Sequence, residues 1–150
     1  LKEVKKWINF RHRLVPYLYH TACQSHQSGI PMIRPLVMEY PKDPIAKIQN
    51  LSYMLGDALL ISPGFDRDEY ELYLPEGRWQ DIESKEVYEG MTFVHIENKA
   101  FADGGTSLRV FQKEGTSIPL FAQKEVLHVP AQLWKQEDLE FMTFQKKDVD

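Results

Sequence analysis

From Leu1 to His26 the apolar positions are Val4, Trp7, Ile8, Phe10, Leu14, Val15, Leu18, Tyr19, Ala22 and Cys23. Steps of three and four residues trace one face of a helix. Pro16 removes a backbone donor and predicts a kink near the middle. Ser28-Gly29, with Pro31 just beyond, is a stop signal. The pattern then changes. Met32 to Met38 is an apolar run of strand length that contains Arg34 and Pro35. Pro31 and Pro35 would break a helix twice, so the run predicts a buried strand, bulged or unpaired at Pro35. Arg34 precedes a proline and is pushed to extended geometry. Tyr40 to Pro44 predicts a turn, with Asp43 as N-cap and Pro44 in the first helical position. Ile45, Ile48, Leu51, Ser52 and Leu55 then predict a helix of about three turns, closed by Gly56-Asp57. Helix, buried strand, helix is the grammar of an α/β unit with a parallel sheet.

Beyond Leu59 the periodicity falls to two. Ala58 to Pro63 predicts a short strand. Tyr70, Leu72 and Leu74 alternate with Glu71 and Tyr73. Pro75 to Arg78 predicts a turn, and Trp79 to Ile82 a returning strand, which together form a hairpin. Further strands are predicted at 85–88, 92–96, 107–112, 116–121, 126–129 and 139–144, punctuated by glycine turns. Short strands at this spacing suggest a sandwich or open barrel. The composition shift between Gly56 and Pro63 predicts a domain boundary, with 1–57 on one side and 58–150 on the other.

The 150 residues are 43% hydrophobic and 27% charged, a globular composition. The net charge of −4 argues against nucleic acid as a partner. No apolar run reaches membrane-spanning length, no signal peptide is visible, and a cytoplasmic location is expected over secretion. The single cysteine, Cys23, has no internal partner and reads as a small buried hydrophobe. His12, His20 and His26 share no metal spacing with carboxylates, so no metal is expected, and no cofactor motif is present.

Hydrolysis by a pair of carboxyl groups needs the two to face each other, roughly 5 to 9 Å apart. Asp66, Asp68, Glu69, Asp81, Glu83 and Glu86 cluster in predicted turns, where acids are ordinarily solvated. Glu39, at the end of the predicted buried strand, is the one acid with a pocket-like address. On residues alone, the chain carries no recognisable catalytic site.

The segments Arg13-Leu14-Val15-Pro16-Tyr17-Leu18-Tyr19 and Gly29-Ile30-Pro31-Met32-Ile33-Arg34-Pro35-Leu36 resemble glycoside hydrolase family 31. The series continues through Tyr53 to Gly56, Leu59 to Pro63, Tyr73 to Trp79, and Val110 to Leu120. Ile61-Ser62-Pro63 departs mildly from the family's pattern, and Phe101 to Thr106 replaces the usual lead into Phe111. The resemblance implies a mixed α and β chain: the last α/β units of a (β/α)8 barrel, with Met32 to Met38 as the eighth strand, followed by an antiparallel β-sandwich. It implies that both catalytic Asp residues and a sugar-binding histidine lie on earlier barrel elements. The chain itself would then have no catalytic residue, while its parent would be a retaining enzyme acting on α-linked glucosides or xylosides. Because barrel strands point their carboxyl ends at the active site, Glu39 and Tyr40 are expected beside substrate. Arg34 is expected to be a structural ion-pair partner whose acid lies on the earlier strands. Two other readings remain open. One is a stand-alone carbohydrate-binding module with Trp79, Tyr73 and Tyr88 as an aromatic platform. The other is an interaction domain that docks through the Trp7 face of the first helix, and whose isolated form self-associates.

Overall fold

A computed structural model describes residues 2–64, 68–97, 108–122 and 131–147. Helices α1 (Lys2–Arg13) and α2 (Val15–Ser28) replace the single predicted helix. They divide at Leu14, because Pro16 sits in the first turn of α2 and has no N–H for the preceding ladder. Gly29 ends α2 with φ of 74°, its N–H donating to Ser25 O.

The predicted strand from Met32 to Met38 is shorter than its apolar run. β1 (Ile33–Pro35) ends at the proline, which has no donor to continue the ladder, and one helical turn follows as α3 (Leu36–Glu39). The predicted helix after Asp43 does not form either. Asp43 does cap a turn, accepting from the N–H groups of Ile45 and Ala46 at 2.9 and 3.2 Å. The chain then extends into β2 (Tyr53–Leu55). The helical stripe named Ile48 and omitted Met54; Ile48 is 77% exposed and Met54 is 1% exposed. Alternation around Met54 was the stronger signal. β2 pairs antiparallel with both β1 and β3 (Leu59–Ser62), so among the described residues β1 stands at the edge of an antiparallel sheet.

β4 (Glu69–Leu74), β5 (Arg78–Asp81), β6 (Val87–Glu89), β7 (Thr92–Glu97), β8 (Arg109–Lys113), β9 (Thr116–Phe121) and β10 (Leu139–Phe144) complete the strands among the described residues. One sheet has six strands in the order β1-β2-β3-β8-β5-β6, and two ribbons, β4-β7 and β9-β10, stand apart from it. Every strand pairing among the described residues is antiparallel. The predicted hairpin of β4 with β5 is not formed: β4 pairs with β7, and β5 with β6 and β8. Pro75 to Gly77 carry the chain from ribbon to sheet, where Trp79 Nε1 donates to Pro75 O at 2.9 Å. The predicted strand at 126–129 and the loop at 101–106 lie outside the described residues.

The six-stranded sheet is covered on both faces, which is why Ala58-Leu59-Leu60 reads as unbroken apolar sequence. One face carries Met54, Leu60, Trp79 and Phe111, packed with Tyr70, Leu72, Leu74, Val94 and Ile96 of the β4-β7 ribbon. The other carries Leu59 and Val110, packed with Leu14 and Tyr17 of the helical region and with Ile118 and Leu120 of β9. The sheet runs across the boundary expected between residues 57 and 58, since β1 and β2 lie before it and β3 after it.

Candidate functional site

Arg34 organises the region where β1, α3 and the β2–β3 turn meet. It is 4% exposed. Its Nε donates to Pro31 O at 2.7 Å, and its Nη1 donates to Glu39 Oε1 at 2.6 Å and to Asp57 Oδ1 at 2.7 Å. Burial pulls the guanidinium pKa down, but the two carboxylates outweigh it and raise it above the ordinary value. Sequence reasoning placed the acid for Arg34 on missing strands; the structure finds two acids within the chain. Glu39 comes within reach because α3 folds back over one turn. Asp57 does so because Gly56 takes φ of 62°, in the left-handed region. A Cβ on Gly56 would collide with the Tyr17 hydroxyl. That hydroxyl donates to Leu55 O at 2.6 Å and accepts from the Ala58 N–H at 3.2 Å, pinning the turn to α2. Gly56-Asp57 was legible only as a helix stop, so its pairing with Arg34 had no local signal.

Glu39 and Tyr40 both line a pocket of about 440 Å³, with Pro41, Asp43, Glu76 and Met91 among its walls. Tyr40 also carries Lys113 Nζ over its ring, 5.1 Å from the centroid. Burial raises the Tyr40 pKa, against the neighbouring Lys113 ammonium, which lowers it. Asp43 has both oxygens engaged: Oδ1 by the turn, and Oδ2 by the Tyr73 hydroxyl, which donates at 2.7 Å. Burial, with the Asp43 carboxylate adding to it, pushes the Tyr73 pKa up to about 12. The Asp43 carboxyl is held below its ordinary value; burial opposes this, and the hydrogen bonds from Tyr73, Ala46 and Ile45 prevail.

Glu39 is held by the Arg34 guanidinium, and Asp43 accepts from three donors. Among the described residues, no group of three or more His, Cys, Asp and Glu is arranged to hold a metal ion.

The aromatic platform does not assemble. Trp79 is 0% exposed and Tyr73 1% exposed, so neither offers a face to a sugar ring. Tyr88 sits edge-to-face with Phe111 and donates its hydroxyl to Glu86 at 2.7 Å. Asp81, expected to be a solvated turn acid, is 4% exposed. Its Oδ1 accepts from the N–H groups of Glu83 and Ser84 at 2.7 and 3.1 Å. Asp66 lies outside the described residues. A larger cleft of about 760 Å³ between α1 and the β9-β10 ribbon contains none of Arg34, Glu39 and Tyr40, and is lined by Trp7, the residue of the expected docking face. Four of its charged groups are paired with one another, Lys6 with Glu83 and Arg13 with Glu140.

Comparison with known proteins accounts for a chain built this way. Residues 29–125 match the family model described as the glycosyl hydrolase family 31 C-terminal domain. The chain is 35% identical over 113 residues to neutral alpha-glucosidase AB of Homo sapiens, covering 73% of this chain and 11% of that protein. It is 33% identical over 129 residues to alpha-glucosidase 2 of Bacillus thermoamyloliquefaciens, covering 85% of this chain and 16% of that protein. The cycloalternan-forming enzyme of Listeria monocytogenes, solved with a pentasaccharide substrate, superposes with a TM-score of 0.73 at 31% identity. That likeness covers 91% of this chain and 13% of the Listeria chain. The dextranase of Flavobacterium johnsoniae, complexed with glucose, gives a TM-score of 0.68 at 30% identity, over 77% of this chain and 14% of its own. The chain thus spans between a tenth and a fifth of the length of these relatives, and it belongs to glycosyl hydrolase family 31.

Proposed function

We propose that this chain is the C-terminal portion of a retaining α-glycosidase, structural in role and without turnover of its own. The observation that carries the reading is the match of residues 29–125 to the family's C-terminal domain, within a chain spanning 11% of the human relative. Two acids of the pocket beside Glu39 support it: Glu39 is bonded to Arg34, and Asp43 to its own turn and to the Tyr73 hydroxyl. The parent hydrolyses an α-linked glucoside or xyloside through a glycosyl-enzyme intermediate, with its carboxylates on barrel elements outside this sequence. Residues 1–57 are the end of that barrel, with β1 at the position of its eighth strand, and residues 58–150 are the C-terminal β-sandwich. Glu39 and Tyr40 sit at the edge of the parent's substrate cleft, with Arg34 fixing Glu39 in place.

The test is an assay of the 150-residue chain and of the complete parent on aryl α-glucoside and aryl α-xyloside. Turnover by the parent alone is expected. Turnover by the short chain, above a blank lacking protein, would overturn the reading.

A further inference from the structure

The cleft of about 760 Å³ between α1 and the β9-β10 ribbon falls within the range of small-molecule sites, about 300–1,000 Å³. Three parts of the chain wall it: Trp7 and Phe10 from α1, Ile82 and Glu83 just after β5, and Phe141 and Met142 from β10. It shares no wall residue with the pocket beside Glu39. Trp7 and Phe10 meet edge to face with ring centroids 5.9 Å apart, and Phe141 is 58% exposed. These rings offer apolar surface that gains by leaving water.

Charged groups are held in place among the rings. Arg13 Nε donates to Phe121 O at 2.9 Å, and its Nη2 is paired with Glu140. Lys6 is paired with Glu83, and its Nζ lies 5.3 Å from the centroid of Trp7. All four side chains line the cleft, and each is between 32% and 51% exposed. Each therefore has a partner on one side and water on the other. Donors and acceptors fixed in this way meet a ligand with little further ordering.

The charges decide what the ligand is. The two cations and two anions cancel in pairs, and Lys85 is the further charged wall among the described residues. An anionic ligand would have to displace Glu83 and Glu140 from the cations, and a cationic one would have to displace Lys6 and Arg13 from the carboxylates. A wholly apolar ligand would strip water from four charged groups and return no hydrogen bond. What fits is a neutral molecule with apolar faces and a rim of hydroxyls, each able to donate and to accept. A pyranose ring has that form, with C–H faces for the aromatic walls and hydroxyls for the carboxylates and the guanidinium.

We propose that this cleft binds glucosyl units of an α-linked oligosaccharide. The identity of the sugar rests on the proposed function, which makes such chains the substrate of the parent.

The test is a titration with a thio-linked analogue of maltotriose, which is not hydrolysed, read by NMR from labelled methionine methyl groups. Met142 lines the cleft, while Met54 is buried in the other core cluster, so one methyl reports the site and the other the fold. In the 150-residue chain, Met142 is expected to shift and saturate with a dissociation constant of about 1–10 mM, with Met54 unmoved. Phe141→Ala is expected to weaken binding about five-fold or more, and Glu83→Gln about three-fold or more. Both side chains are half exposed, and an unchanged Met54 signal shows that each variant folds. No shift of Met142 at about 50 mM, well above that constant, overturns the site. So does an unchanged constant in both variants. A shift at Met91 in place of Met142 puts the sugar beside Glu39 and overturns it as well. The complete parent is expected to show the same Met142 shift; binding by the short chain alone means that the parent covers the cleft, and overturns the inference. Aryl α-glucoside turnover by the same parent separates the two readings. Turnover with no Met142 shift sinks the cleft alone; a Met142 shift without turnover sinks the activity alone.

Discussion

Arg34→Met tests whether the chain carries its own ion-pair partners. The change keeps the length and apolar stem of the side chain and removes all three hydrogen bonds. Breaking a buried pair by removing one partner ordinarily costs about 3–5 kcal/mol. Here the penalty is smaller, because the stranded acids are near water: the side chain of Glu39 is 29% exposed and that of Asp57 63%. Both rehydrate in part once the guanidinium is gone. The lost bond to Pro31 O adds about 1.5 kcal/mol or more, as for a charged donor. The expected loss is about 2–3 kcal/mol, reached after discounting the exposed acids. Asp57→Asn should cost no more than about 1 kcal/mol, since that carboxylate is mostly solvated. Glu39→Gln should cost about 1 kcal/mol or more, and should couple to Arg34→Met in a double-mutant cycle. Urea unfolding of each variant gives these numbers as midpoint shifts at constant slope. A loss below about 0.5 kcal/mol for Arg34→Met would refute the reasoning, as it is typical of an unremarkable surface change. So would a cost for Asp57→Asn exceeding that for Glu39→Gln.

Other expectations follow from the same contacts. Gly56→Ala combines a left-handed backbone with a collision at the Tyr17 hydroxyl, and should cost about 2–4 kcal/mol by urea unfolding. Trp79→Ala should cost about 3–5 kcal/mol as a large core deletion, and sugar affinity is not the property it changes. Tyr73 should ionise near pH 12 in an absorbance titration, and Asp43→Asn should lower that value. Its folded pKa lies above the unfolded one, so its contribution to stability is complete below about pH 10 and is lost as pH rises through 12. His95, whose Nδ1 lies 2.7 Å from Glu71 Oε1, should titrate above the ordinary histidine value by NMR, and Glu71→Gln should bring it down.

What was legible in the sequence had strong local causes. Alternation placed β4, where Tyr70 and Leu72 are buried and Glu69 and Glu71 exposed, and glycine turns marked out β7, β9 and β10. The helical spacing around Trp7 and Leu14 placed α1 and α2, and Pro16 marked their division. The errors came where local pattern was weak and partners were distant. Ile45, Ile48 and Leu51 mimic a helix stripe, but Met54 pairs with Arg34 on one side and with Leu60 on the other, and that ladder prevails. The run from Met32 to Met38 reads as one strand because burial continues past Pro35 into Leu36, while the hydrogen bonding does not. No pattern within β4 or β5 announces that their partners are β7 and β8. The pocket beside Glu39 was half visible: strand order suggested Glu39 and Tyr40, but Asp57, Lys113 and Tyr73 reach Arg34, Tyr40 and Asp43 through turns and long-range packing.

The most direct measurement compares turnover of an aryl α-glucoside by the complete parent and by the 150-residue chain at equal molar concentration. Hydrolysis by the parent, with the short chain indistinguishable from a blank, is the predicted result. Hydrolysis by the short chain that disappears on Glu39→Gln would contradict it, and would place the chemistry in the pocket described above.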